Sequence, residues 1–140
     1  MKLRSKIVLW TIGGVWLVTM LALIPRFVSI SRDTDNVEHV FADYGAALAS
    51  HRFEDAYRLC SSGFQSAMPY DQFVSFQNKL ESQYGRLESV DRKALKVHCD
   101  GSGCSAALSA ALIYQTKTLK YRFELHKDEG RWVIFGGEQL

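Results

Sequence analysis

The chain reads as an α+β protein on a membrane tether: an N-terminal transmembrane helix, then three helices packed on a curved four-stranded antiparallel sheet. Three observations predict this. An apolar run, Ile7 to Ile24, follows a basic start at Lys2, Arg4 and Lys6. Apolar residues then recur at helical spacing as far as Gly85, and from Arg86 onward the period switches to two.

At roughly 1.5 Å per residue, the apolar run makes a helix of about 27 Å, close to the ~30 Å hydrocarbon core of a bilayer. Pro25-Arg26 ends it. A cleaved signal peptide and a buried soluble helix are the competing readings. The length of the run and the poor cleavage context around Met20-Leu21-Ala22 favour an uncleaved anchor. The positive-inside bias places the N-terminus in the cytoplasm and the remainder in a periplasm, so the expected location is a bacterial inner membrane crossed once. The expected organisation is a cytoplasmic start at 1–6, an anchor at 7–24, a linker at 25–36 and one domain at 37–140.

Charge narrows the class of partner. Without Lys2, Arg4, Lys6 and Arg26, the 17 basic side chains fall to 13 against 15 acidic ones. The exported part is thus slightly acidic, and a nucleic-acid partner is not expected.

In the first helix Val37, Val40, Phe41, Tyr44, Ala47 and Leu48 share one face, and Asp35 with Glu38 has the form of a capping box. A second helix, about Arg52 to Cys60, turns Phe53, Ala56, Tyr57 and Cys60 inward. Ser61-Ser62-Gly63 should stop it, with Phe64 plugging the junction. After Pro69 a third helix presents Phe73, Phe76, Leu80 and Tyr84, and Gly85 supplies its cap.

Strand alternation follows. Leu95, Val97 and Cys99 share one face, as do Ala106, Leu108, Ala110, Leu112 and Tyr114, then Leu119, Tyr121, Phe123 and Leu125, and a last strand runs from Trp132 to Phe135. The connections are short, so the strands must form an antiparallel meander. Such a sheet needs one covered face, which the helices supply.

This layout resembles the nuclear transport factor two-like (cystatin-like) superfamily, and within it the small exported domains of unknown function. The resemblance rests on His51-Arg52-Phe53-Glu54-Asp55-Ala56-Tyr57, Tyr70-Asp71-Gln72-Phe73, Tyr84-Gly85-Arg86-Leu87 and the terminal Trp132. It implies a cone-shaped fold with a cavity between helices and sheet; enzymes, binding domains and scaffold modules share that fold, so function does not follow from it. The layout is also similar to inner-membrane assembly proteins of type IV secretion, without a motif that singles them out.

Cys99 and Cys104 flank Asp100-Gly101-Ser102-Gly103, so on paired strands they face each other at a hairpin mouth and are expected to form a disulfide. Free thiols are the second reading, and a metal site from His98, Cys99, Asp100 and Cys104 is the weakest, because His98 should point to the opposite face. Cys60 reads as a buried free thiol. Neither a metal nor a cofactor is expected.

The inward aromatic residues Tyr44, Tyr57, Phe64, Phe76, Tyr84, Tyr114, Tyr121 and Trp132 are core first and candidate cavity lining second. Catalysis is not expected: His39 and Asp43 read as a solvated pair, His51 as a turn residue, and a phenol of pKa about 10 is no base at neutral pH. On the outer face, Ser105, Ala107, Ser109 and Ala111 form a shallow trough between Arg92, Lys96 and His98 on one side and Lys120, Arg122 and His126 on the other. A solvated face is the plain reading. The functional one is a docking surface for a protein partner, for anionic headgroups near the tether, or for a second copy through the sheet face. The expectation is a non-catalytic membrane-tethered binding or assembly module, with a small-molecule or lipid binder using the aromatic cavity as the alternative.

Overall fold

The computed structural model describes residues 31–140, and within them the chain is α+β, with helices packed on one face of an open four-stranded antiparallel sheet. The apolar run at 7–24 and most of the expected linker lie outside the described residues. Among the described residues, no helix is long and apolar enough to cross a membrane.

Helix α1 covers residues 31–49, so the stretch 31–36 is helical, not linker, and Asp35 with Glu38 lies inside the helix instead of capping it. Val37, Phe41, Tyr44, Ala47 and Leu48 are buried as their spacing requires. The helix ends in a Schellman motif: the Arg52 amide donates to the Ala47 carbonyl at 2.8 Å and the His51 amide to the Leu48 carbonyl at 3.1 Å. His51 takes the left-handed conformation, φ 58°, that a glycine usually fills. Its ring contacts Glu81 at 2.6 Å and stacks on Phe53.

Helix α2 (Phe53–Arg58) is followed by α3 (Ser62–Ala67), so the described chain holds four helices where three are expected. The expected stop at Ser61-Ser62-Gly63 instead starts α3, because the Ser61 hydroxyl accepts the Phe64 amide at 3.1 Å as an N-cap. Helix α4 (Tyr70–Tyr84) buries Phe73, Gln77 and Leu80. Phe76, expected inward, is 40% exposed. The buried stripe runs through 73, 77 and 80, so a phenylalanine one position before Gln77 sits on its shoulder. Gly85, at φ 82°, closes the helix; a Cβ there would sit 2.7 Å from the Gln115 side chain.

The strands β1 (Leu87–Asp100), β2 (Gly103–Tyr114), β3 (Thr118–Asp128) and β4 (Arg131–Gln139) pair in that order as a meander. The core lies between α1, α4 and the inner rows of the sheet, where Leu108, Leu119, Phe123, Leu125 and Ile134 are buried. Phe41 and Tyr44 place their rings 5.1 and 6.0 Å from that of Phe123. Helix α1 lies close on β1: a Cβ at Gly45 would fall 3.0 Å from Val90 Cβ. A bulge between Arg92 and Ala94 shifts the alternation of β1 by one residue.

Candidate functional site

The outer face of the sheet is built by the residues that the core does not use. Register sets His98, Ser105 and His126 in one row, Lys96, Ala107 and Glu124 in the next, then Ala94, Ser109, Arg122 and Glu138, then Asp91, Ala111 and Lys120. The central strand thus carries only small side chains here, between longer ones on β1 and β3. A depression of about 190 Å³ is lined by Lys96, His98, Ser105, Ala107, Arg122 and Glu124.

The walls are of mixed charge, not basic. Arg122 pairs with Glu138 at 3.5 Å, His126 with Glu124 at 2.8 Å and His98 with Asp100 at 3.3 Å. Lys96 and Lys120 have no ion-pair partner among the described residues. Arg92 is not on this face at all. The bulge places it in the inner row with Ala110, and its guanidinium reaches Glu38 of α1 at 3.0 Å. Phe135, 47% exposed, stacks on His126 with ring centroids 4.5 Å apart.

The interior offers less room than the aromatic count suggests. A cavity of about 120 Å³ is lined by Tyr44, Phe64, Phe76 and Tyr121, together with Gln77 and Phe123. That is well under the roughly 300–1,000 Å³ of ordinary small-molecule sites. The other four expected lining residues stand elsewhere. The Tyr57 hydroxyl donates to the carbonyls of Met68 at 2.9 Å and Gln65 at 3.1 Å, clamping α3. Tyr84 packs against Tyr114 and carries the Lys117 ammonium over its face. Trp132 is buried at the start of β4. The Tyr114 hydroxyl is buried without a hydrogen-bond partner among the described residues.

Burial pushes the Tyr114 phenol up to about 12, with Tyr121 and Glu81 adding to the rise. The Tyr44 and Tyr121 phenols also lie above their ordinary value, chiefly through burial. Burial likewise raises the Cys60 thiol to about 12. These groups hold their protons at neutral pH, so none of them supplies a base or a thiolate.

Cys99 and Cys104 form a disulfide across the β1–β2 hairpin, with Cα atoms 4.1 Å apart. The turn between them is tied by the Ser102 amide and hydroxyl, both donating to the Asp100 carboxylate. These bonds hold the Asp100 carboxyl below its ordinary range. Both thiols are consumed, so neither is open to a metal ion. Cys60 is free and buried.

Two grooves were not legible in the sequence. One, of about 580 Å³, has His39 and Asp43 of α1, Arg58 and Ser61 near α3, and Asp128 and Arg131 of the last hairpin around it. Three separate segments build it, so no local spacing announces it. The other, of about 480 Å³, runs between α1 and β1 past Ala42, Gly45, Ala46 and Val90.

No family model matches the chain, and no curated protein matches it. A solved structure from Catenulispora acidiphila is similar over 79% of this chain and 94% of its own, at 14% identity and a TM-score of 0.59. A SEC-C motif containing protein from Rhodopseudomonas palustris aligns over 68% of this chain and 71% of its own, at 15% identity and a TM-score of 0.49. At such identities the likeness is one of fold, and only the first carries weight even for that.

Proposed function

We propose that this chain is a non-catalytic binding or assembly module, tethered to a bacterial inner membrane by residues 7–24 and holding its domain on the periplasmic side. The single observation that carries the binding role is the uncovered outer face of the sheet. Helices cover the other face, while this one presents a floor of exposed Ala107 between half-buried Ser105 and Ser109, closed at one end by buried Ala111, with Lys96 and Lys120 at its margins and without ion-pair partners among the described residues. An extended or acidic segment of a partner protein fits such a floor, since small side chains admit a second backbone and the two lysines supply charge. The disulfide at Cys99 and Cys104 suits an oxidising compartment, which supports an exported domain.

We also take the fold as nuclear transport factor two-like. What supports this is the order of helices before a long meander, with tyrosines lining the interior. The alternative of a small-molecule or lipid binder has only the cavity of about 120 Å³ to work with.

Crosslinking and pull-down of the full-length chain from native membranes tests the proposal. Lys120→Glu with Arg122→Glu should abolish partner capture while the folded fraction is unchanged. Undiminished capture by that variant rules the face out. Alkaline carbonate extraction tests the tether: the full-length chain should stay in the membrane, and a soluble product starting near Leu23 would defeat that part.

A further inference from the structure

The two edges of the sheet are treated differently. The segment Leu59–Ser61 runs along β4: Ile134 donates its amide to the Leu59 carbonyl at 2.9 Å and accepts the Ser61 amide at 2.7 Å. β1, at 14 residues, pairs only with β2, and among the described residues no strand takes its other edge. A free edge of this length presents a row of backbone donors and acceptors to another strand.

We propose that the chain forms a two-fold homodimer by antiparallel pairing of β1 with β1 of a second copy, centred on Lys93 and Ala94, joining two four-stranded sheets into one.

The occupant follows from the sequence of β1 and its bulge. A bulge commonly protects an edge, because it breaks the alternation that a second strand has to match. Self-pairing centred on the bulge removes this obstacle. From Ser89 to His98 every residue before that bulge then meets one after it and both alternations shift together, while a second irregularity between Leu87 and Ser89 ends the matched stretch.

The pairs that result share faces. Val90 meets Val97, both from inner rows; Asp91 meets Lys96, both from outer rows. Charge agrees with this register. Acidic Asp91 stands before the bulge and basic Lys96 after it, so the antiparallel arrangement brings opposite charges together twice. Asp91 already holds Lys93 of its own strand, whereas Lys96 has no ion-pair partner among the described residues. The flank of α1 beside this edge fits a second copy as well. Ala42, Gly45, Ala46 and Ala49 line the groove of about 480 Å³ next to β1, and small residues there let another backbone come near.

Lys96 belongs to both the trough and this edge, but self-association tests the dimer and partner capture by Lys120→Glu with Arg122→Glu tests the docking face, so either can fail while the other stands. The test is sedimentation of the full-length chain in mild detergent. Wild type should sediment as two copies. Asp91→Lys and Lys96→Glu should each weaken self-association by about tenfold or more, since each replaces two attractive cross-strand pairs by repulsive ones. A 1:1 mixture of the two variants should restore the dimer, because the first then offers only bases and the second only acids. A single-copy wild type overturns the proposal, as does a dimer that both variants leave intact.

A second measurement guards against a folding defect. Asp91→Cys and Lys96→Cys chains, oxidised together, should yield a mixed disulfide that neither yields alone. Equal crosslinking in the separate samples rejects the register.

Discussion

The two faces of β2 differ by one residue of register and by nearly everything else. On the inner face Ala106, Leu108, Ala110, Leu112 and Tyr114 are all buried under the helices. On the outer face Ala107 is exposed and Ser105 and Ser109 are half-buried, and only Ala111 is buried. Stability is concentrated on the first face, because burial is what removes apolar area from water. The second is free to be used for recognition, since its residues contribute little to the folded state.

The sharpest test of that difference uses adjacent residues. Leu108→Ala should cost about 2–5 kcal/mol by chemical denaturation, whereas Ser109→Ala should stay within about 0.5 kcal/mol. Comparable losses at both sites would mean that the outer face is covered in the working protein. Next in size is the bridge at the sheet's end. Cys99→Ser with Cys104→Ser should cost about 2 kcal/mol, as expected when such a short loop is no longer closed in the unfolded chain. A null result would mean that turn hydrogen bonds alone hold the hairpin.

Tyr114 separates the interior from a designed cavity wall. Its buried hydroxyl has no hydrogen-bond partner among the described residues, so Tyr114→Phe should be neutral or stabilise by up to about 1 kcal/mol. A loss of more than that would reveal a hydrogen bond to a bound molecule or water. The same phenol titrates at about 12 in the fold, above its ordinary 10.0. A raised pKa stabilises the fold below the unfolded value, and that contribution is lost as pH rises through 10 toward 12. The alkaline loss of stability should therefore be smaller in Tyr114→Phe than in wild type. The smallest expected effect is on the outer face, where Lys120→Glu and Arg122→Glu should each shift stability by less than about 0.5 kcal/mol. A larger loss would give these residues a structural role in place of docking.

Much of the architecture was legible because it depends on short-range pattern. Alternation of period two located four strands, and Cys99 and Cys104 were paired by a four-residue hairpin between them. The errors came where a neighbour in space mattered. Ser61-Ser62-Gly63 reads equally as a stop or as a start, and the Ser61 amide donating to the Ile134 carbonyl of β4 holds the break at which the Ser61 hydroxyl caps α3. Gln77 is polar, so hydropathy assigned its place to Phe76, although the helix buries the glutamine beneath the cavity.

The trough shows the same division. Its floor follows from the alternation of β2, which any reader of Ser105 to Ala111 can extract. Its charge does not, because Glu138 reaches Arg122 only when β4 pairs with β3, and Arg92 leaves the face only through a bulge. The helices-then-meander order, the inward row of β2 and the disulfide were determined by the sequence itself, since each depends on residues a few positions apart. Which charges meet, which edge stays open and how little space the aromatic interior leaves were decided by tertiary structure, because packing and register join residues that the chain holds far apart.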